Sequence, residues 1–368
     1  MKIGIVWLPN VGKSTLFNAL TKSYAADAGN FPFCTIEPNV GIVDVKDDRL
    51  ETLSKISNTQ KIVYATTSFV DIAGLVKWAS SGEWLGNKFL SHIREVDVIV
   101  QVLRYFQDAD VSHVEWSVDP LRDVEIINME LIISDLEQVD KNLPAIAKKA
   151  SVTKEKTMVA TASALTKIKK ALDTGKLIYD IRDELSADEH HAIKNYNFLT
   201  DKSFLYAINV WQDDLARAQE IQQEFTTKLQ KPIAIVCAAL ESEMMTLSES
   251  EREEFLEMMV DKVDVKMIPT LDDMIALAFK ELWLMYYFTT GEKESRAWTI
   301  PIGSTAPQAA GAIHTDFERW FIKAEIVNYH HFVECGSRSK AKEKWLLKLQ
   351  WKDYIVQDGD IIVFKFNV

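Results

Sequence analysis

The chain opens on an apolar, partly β-branched run from Lys2 to Leu8, too short for a helix of its own, and it reads as a buried strand. From Ser14 to Lys22 the apolar residues Leu16, Phe17 and Leu20 fall at helical spacing. Further strands are predicted at Val40–Val45, Thr67–Val70, Val96–Leu103, Ser203–Val210 and Pro232–Cys237. Helices are predicted at Gly86–Glu95, Pro120–Val139 and Asp214–Lys228. Strands alternating with helices imply an α/β fold with a mostly parallel sheet covered on both faces.

Two stretches break that alternation. From about Leu136 to Ala192 the strand signal almost vanishes, and a long Lys/Glu/Ala-rich segment of helical period takes over. Strands resume at Ser203, so this segment reads as a helical hairpin or coiled-coil insertion. In the C-terminal region, short strands at Ala297–Pro301, Ile322–Val327, Tyr354–Ile355 and Ile361–Phe366 surround a helical stretch at Gln308–Trp320. The expected division is a sheet domain from 1–135 and 200–280, a helical insertion at 136–199, and a compact α+β domain at 283–366.

Composition narrows the class. With 368 residues, 47% hydrophobic and 26% charged, the chain has the make-up of an ordinary globular protein, and no apolar run reaches membrane-spanning length. The N-terminal apolar run lacks a signal-peptide pattern, and three scattered cysteines (Cys34, Cys237, Cys335) suggest neither disulfides nor a zinc site, so the expected location is cytoplasmic. A net charge of −12 argues against nucleic-acid binding by the whole surface. Between Lys141 and Lys176, however, nine lysines face only Glu155 and Asp173. Because salt screens charges beyond about 10 Å, such a local basic face can bind RNA on an acidic protein.

The chemistry begins at Asn10-Val11-Gly12-Lys13-Ser14-Thr15, between the first strand and the first helix. Backbone N–H groups at a helix N-terminus attract phosphate, Lys13 reaches the β/γ-phosphates, and the Ser14 hydroxyl can ligate Mg²⁺. That is a phosphate-binding loop of the P-loop nucleoside-triphosphatase kind. Asp71-Ile72-Ala73-Gly74 ends an apolar strand; Asp71 would hold a water of the Mg²⁺ shell, and the Gly74 N–H would meet the γ-phosphate. Thr35, between these motifs, is the natural switch threonine closing on Mg²⁺. Asn209-Val210-Trp211-Gln212 lies at the carboxyl end of a strand, where a base-recognition loop belongs. It lacks the aspartate that would accept from guanine N1 and N2, which favours adenine. Cys237-Ala238-Ala239 would form the far wall of the base pocket, with Ala238 at its centre.

These motifs resemble the YchF/Obg-like ATPase family. The resemblance rests on Leu8 to Leu20, Asn30-Phe31-Pro32-Phe33-Cys34-Thr35-Ile36-Glu37-Pro38-Asn39, and Phe69-Val70-Asp71-Ile72-Ala73-Gly74-Leu75-Val76. It extends to Asn195–Thr200, Arg296-Ala297-Trp298-Thr299 and Asp353–Asp360, and so spans the chain. It implies a P-loop G-domain, a helical coiled-coil insertion and a C-terminal TGS domain of β-grasp shape. It also implies ATP preferred over GTP through an Asn-x-x-Glu motif, with Asn209 and the Val210 backbone in that role and Gln212 in place of the glutamate. Leu75 stands where many GTPases carry a water-orienting glutamine, and the resemblance passes that role to His113. Asn10 resembles the asparagine that binds K⁺ in potassium-stimulated relatives. The implied partner is the ribosome, as a large subunit or a 70S-type particle, with rRNA meeting the basic helical region. The implied activity is slow Mg²⁺-dependent ATP hydrolysis that regulates translation or the stress response, without a membrane.

The same pattern puts glycine where this chain has Trp7, Trp78, Trp84, Trp116, Trp283, Trp320 and Trp351, and counts Trp298 and Trp345 as tryptophans of the family. The 13 glycines are about half of what a usage of ~7% predicts. A gene in which UGA is read as glycine would produce both features. Trp7 is the most consequential, because it takes the first glycine position of the phosphate loop. Two other functions stand beside the ATPase: a GTP-driven switch and, with a genuine Trp7, a nucleotide-impaired ribosome-binding scaffold.

Overall fold

The computed structural model describes residues 2–8, 11–23, 40–72, 87–106, 118–245, 247–259 and 268–367. Its N-terminal elements are β1 (Lys2–Trp7), α1 (Lys13–Ser23), β2 (Val40–Val45), α2 (Asp48–Ser57), β3 (Lys61–Val63) and β4 (Ala65–Asp71). Then come α3 (Asn87–Arg94), β5 (Val98–Arg104), α4 (Pro120–Thr153), α5 (Lys156–Asp173) and α6 (Ala187–Ile193). They are followed by β6 (Ser203–Asn209), α7 (Ala218–Leu229), β7 (Ile233–Val236), α8 (Ala238–Met244), α9 (Glu249–Met259) and α10 (Leu271–Lys280). The C-terminal elements are β8 (Leu284–Thr290), β9 (Glu294–Pro301), α11 (Ala306–Ile313), α12 (Thr315–Arg319) and β10 (Phe321–Asn328). Last are α13 (Tyr329–Cys335), α14 (Arg338–Glu343), β11 (Lys348–Gln350) and β12 (Asp360–Phe366). Among the described residues no helix is long and apolar enough to cross a membrane.

The chain forms two compact units: one holds Met1–Ser23 and Ser68–Met274, the other Ile42–Thr67 and Ile275–Val368. The expected division had three parts. Residues 136–199 cluster with the first unit, and Ile42–Thr67, expected with the N-terminal sheet domain, cluster with the C-terminal strands.

The first sheet has the order β2-β4-β1-β5-β6-β7. β1 pairs in parallel with β4 and β5, β5 with β6, and β6 with β7. Every residue of β5 and β6 is buried, as a central parallel strand covered on both faces requires. The helix expected to end at Val139 runs on to Thr153, with Pro144 inside it. Asp119 caps its start, accepting from the N–H groups of Leu121 (3.1 Å) and Arg122 (3.2 Å), and Pro120 takes the first turn, where its missing N–H costs nothing. The buried stripe Val124, Ile127, Leu131, Ile132 and Val139 has the spacing of one helix face. Beyond Val139 only Ala150 of α4 is buried, and the helix is partnered by α5 with its buried Ala164, Leu165, Ile168, Ala171 and Leu172.

Two buried carboxylates hold this insertion. Asp135 of α4 accepts from the N–H groups of Leu199 (3.0 Å) and Thr200 (2.8 Å) and from the Thr200 hydroxyl (2.8 Å). Burial raises its pKa, and those bonds pull the other way. Glu189 closes a capping box with Ser186 on α6 and receives the Ser163 hydroxyl (2.6 Å) and Lys167 Nζ (2.8 Å) from α5.

In the second unit the sheet order is β11-β10-β12-β8-β9-β3. Its core packs Tyr287, Ile300, Ala309, Ala310, Ala324 and Ile362, with Trp298 against them. The first and last strands of the C-terminal segment, β8 and β12, lie side by side in parallel, and α11 contributes to the same core, which is a β-grasp arrangement. The expected strand at Tyr354–Ile355 is only a bridge from Ile355 to Thr305. The helical stretch at 308–320 is two helices separated at His314.

Sequence pattern did not reveal α2, β3 or β8. β3 joins the sheet by parallel pairing of Lys61, Ile62 and Val63 with Glu294, Ser295 and Arg296. Arg49 of α2 makes a two-pronged bond to Asp47 (3.0 and 2.7 Å), reaches Asp358 (2.6 Å), and lies 5.2 Å from the Phe288 ring centre. These contacts hold α2 and β3 to the C-terminal strands.

The Glu189 cluster yields a pH prediction. Lys167, Ser163 and the Ser186 N–H lower the Glu189 carboxyl from 4.5 to about 2. A depressed acid contributes stability that is complete above its unfolded value and is lost as pH falls through the folded one. Chemical denaturation of the full chain should therefore show stability falling between pH 4.5 and about 2. In Glu189→Gln that part of the slope should flatten; an unchanged slope would assign the acid sensitivity to other groups.

Candidate nucleotide site

The parallel sheet brings five strand ends together. Asp71, the last residue of β4, lies opposite Ile5 of β1, and the next N–H, that of Ile72, donates to Ile5 O (3.2 Å). Trp7 ends β1 opposite Val102, Arg104 ends β5 opposite Asn209, and Asn209 ends β6 opposite Val236 of β7. In such folds the carboxyl edge of the sheet is where ligands bind.

At this edge the loop after β1 turns into α1. Val11 is buried, and Gly12 has a φ of +86°, the left-handed region that side chains disfavour. A Cβ on Gly12 would come within 2.5 Å of Asn209 Nδ2, so glycine is needed here for space as well as conformation. Leu16 N–H donates to Gly12 O (3.0 Å), so the helix begins directly from the loop. The first turn of α1 holds no acidic residue, which leaves its N–H groups and dipole for an anion. Lys13, Ser14 and Thr15 occupy that turn, as expected for a phosphate cradle.

Asn209 joins the loop to the far side of the site. Its Nδ2 donates to Val11 O (2.9 Å), and its Oδ1 accepts from Ala238 N (3.0 Å). The side chain is 3% exposed, so these bonds form away from competing water. The carboxamide therefore spans from the phosphate loop to the start of α8. Val210 N–H donates to Val236 O (2.9 Å), so this N–H is already paired at the sheet edge. Gln212 opens a short 3₁₀ turn, Gln212–Arg217, and is partly exposed. Burial pushes the neighbouring Cys237 thiol up to about 11, so it is a neutral wall rather than a nucleophile.

Of the residues expected in the site, the fold brings together Val11, Gly12, Lys13, Ser14, Thr15, Asp71, Asn209, Val210, Gln212 and Ala238 at one sheet edge. Asn10, Thr35, Gly74 and His113 lie outside the described residues. Of the residues expected to hold Mg²⁺, the fold places Ser14 in the first turn of α1 and Asp71 at the end of β4. Among the described residues no three His, Cys, Asp or Glu side chains gather to cage a metal. Mg²⁺ does not require such a cage, since one carboxylate with hydroxyl, water and phosphate oxygens suits its chemistry.

Sequence reasoning missed Arg104. It is 1% exposed at the end of β5, donates from Nε to Phe106 O (3.1 Å), and stacks 4.6 Å from that ring's centre. Trp211 leans on the other side of the turn, its ring 5.6 Å from Phe106. The one signal in the sequence was a cation closing the apolar run Val96–Leu103. Glu241 was missed as well; it is buried on α8 and accepts from Leu271 N (2.9 Å).

Comparison with known proteins places the geometry. Residues 284–367 match the C-terminal family model of YchF GTPases, described as a protein of unknown function (DUF933). Residues 2–133 match the model described as 50S ribosome-binding GTPase. The "Ribosome-binding ATPase YchF" of Bacillus subtilis (strain 168) is 44% identical over 370 residues, covering 99% of each chain. The chain belongs to the YchF family. The "Obg-like ATPase 1" of Caenorhabditis elegans, 41% identical over 374 residues, covers all of this chain and 92% of its own. The solved Schizosaccharomyces pombe YchF GTPase superposes with a TM-score of 0.86 at 35% identity, over 99% of this chain and 97% of that one. The YchF family is one of nucleoside-triphosphatases, and the P-loop fold with its converging strand ends is the frame for that activity in this chain.

The Asn209 bridge predicts a specific defect. Asn209→Ala leaves Val11 O and Ala238 N–H buried without their partner, a cost of about 1–3 kcal/mol. Titration with a fluorescent nucleotide should show affinity falling roughly tenfold or more. Affinity within about twofold of the parent would mean that the bridge does not shape the nucleotide site.

Proposed function

We propose that this chain is a Mg²⁺-dependent ATPase that prefers ATP to GTP and works on the ribosome, coupling hydrolysis to the regulation of translation or the stress response in the cytoplasm. The adenine preference is carried by one observation at the end of β6. Asn209 is fixed between the phosphate loop and α8, and the residue three positions on is Gln212, without the carboxylate that guanine needs. A glutamine amide can both donate to and accept from adenine.

In this reading Lys13 and the first N–H groups of α1 bind the β/γ-phosphates, while Ser14, Thr35 and Asp71 hold Mg²⁺. The metal would neutralise charge developing on the transferred phosphoryl group. The Gly74 N–H meets the γ-phosphate, His113 orients the attacking water, and Asn10 is the residue suited to K⁺. Positioning and charge stabilisation carry such a reaction, with no covalent step for the protein. Residues 136–199 serve as the coiled-coil insertion and 283–366 as the TGS domain.

The ribosomal contact is assigned to rRNA of a large subunit or 70S-type particle. The sorting of the nine lysines supports this. Lys156, Lys167 and Lys169 are paired with Asp188, Glu189 and Asp140. Among the described residues, Lys141, Lys148, Lys149, Lys154, Lys170 and Lys176 have no carboxylate at ion-pair distance. Lys148, Lys149 and Lys154 are exposed near the turn between α4 and α5, where only Glu155 opposes them. The relatives' name, ribosome-binding ATPase, supports the same partner.

Nucleotide competition tests the first part. ATP should displace a bound analogue at lower concentration than GTP, and the reverse order would select the GTP-switch reading. His113→Ala should lower kcat about 10²-fold or more with nucleotide affinity kept, as expected for losing a general acid–base or water-positioning group. Co-sedimentation with purified ribosomes tests the second part. Changing Lys148, Lys149 and Lys154 together to Glu should weaken binding and flatten its salt dependence, because fewer phosphate contacts release fewer counterions. Unchanged binding and salt slope would move the contact elsewhere on the chain.

A further inference from the structure

Two tryptophans sit in backbone seats made for glycine. Trp283 and Trp345 have φ values of +56° and +60°. Among the described residues the other non-glycine positions at positive φ are Asn58, Lys154, Asn197 and Gln230, all polar, and two of them are asparagine, which tolerates this region well. A tryptophan there gains nothing from local hydrogen bonding and carries the largest side chain of all.

The end of α14 makes the case sharpest. Trp345 N–H donates to Lys342 O (3.1 Å), and Leu346 N–H donates to Ala341 O (2.9 Å). These paired 5→2 and 6→1 bonds define a Schellman motif with Trp345 at the left-handed position, which is usually glycine. The chain builds the same motif at the end of α5: Gly175 N–H donates to Leu172 O (3.0 Å) and Lys176 N–H to Ala171 O (3.0 Å). There the left-handed residue is Gly175, at φ +76°. Trp283 likewise follows a helix, donating to Lys280 O (3.1 Å) just before β8.

The indoles add nothing to the packing at these places. Trp345 is 89% exposed and Trp283 64%. Trp298 is the contrast: its Nε1 donates to Thr289 Oγ1 (2.9 Å), its ring stacks on Tyr287, and Arg296 lies 4.1 Å above it. Trp211, with φ −85° and its ring near Phe106, also lacks the glycine signature.

We infer that positions 283 and 345 are glycine in the protein as its own cell makes it, and that both are read from UGA. The geometry corrects the expectation that Trp345 is a genuine tryptophan. The same codon would account for Trp7, Trp78, Trp84, Trp116, Trp320 and Trp351 and for the scarcity of glycine. At position 7 the consequence reaches the nucleotide site, because glycine there restores the phosphate loop. This last step rests on the ATPase reading; the assignment at 283 and 345 does not.

The test reads the gene and the protein. The codons at 283 and 345 should be UGA, with UGG at Trp298, and peptides spanning 283 and 345 from the native protein should have the glycine mass. UGG at 345, or a native peptide containing Trp345, overturns the inference. Two measurements on recombinant protein separate it from the functional reading. Trp345→Gly and Trp283→Gly should each raise the melting temperature, whereas Trp298→Gly should lower it; a drop at 345 counts against the assignment. Trp7→Gly should tighten ATP binding at least tenfold. Glycine masses at 283 and 345 with no nucleotide binding by the Trp7→Gly chain would leave the inference standing and overturn the ATPase reading instead.

Discussion

The nucleotide site depends on one carboxamide. Asn209, at the end of β6, holds Val11 of the phosphate loop with its nitrogen and Ala238 of α8 with its oxygen. A loop can cradle phosphate only if its N–H groups point inward before the ligand arrives, and a buried hydrogen bond is a strong way to hold them there. Gly12 complies because it has neither a Cβ to strike Asn209 nor a penalty at φ +86°. Two bonds thus tie the loop after β1, the end of β6 and the start of α8 together.

Around that bridge, the parallel sheet supplies position and the inserted helices supply reach. β5 and β6 are buried along their whole length, so their ends are held firmly. α4 leaves this frame through Asp135, whose three bonds to Leu199 and Thr200 close the base of the insertion. Further out, α4 and α5 pack on each other, the pairs Lys169–Asp140, Lys156–Asp188 and Lys167–Glu189 link the helices, and Lys148, Lys149 and Lys154 lie exposed near the turn between them. An acidic protein can thereby present a local basic surface at that turn.

The C-terminal unit includes residues far from it in the chain. Residues 42–67 lie between the phosphate loop and Asp71 in the chain, yet they add α2 and β3 to the second unit. Arg49 bonds to Asp47, two residues before it, and to Asp358, 309 residues away. Its guanidinium lies against Phe288 in the same cluster. No periodicity in α2 or β3 announces such a partnership.

By itself the sequence determined the α/β alternation, the strand–loop–helix start and the family, because hydrophobic spacing and short motifs are local properties. Lys13, Ser14, Asp71 and Asn209 could be named from their places at strand and helix ends. Four things required the tertiary structure: the bridging role of Asn209, the buried Arg104, the attachment of α2 and β3 to the C-terminal strands, and the sorting of paired from unpaired lysines. Each depends on pairing or burial by residues distant in the chain, and spacing carries no record of those. The tryptophans divide in the same way. Composition showed that glycine is scarce, but only backbone dihedral angles separate Trp345, in a glycine seat, from Trp298, built into a core, because a left-handed φ is visible in the fold and in no letter of the sequence.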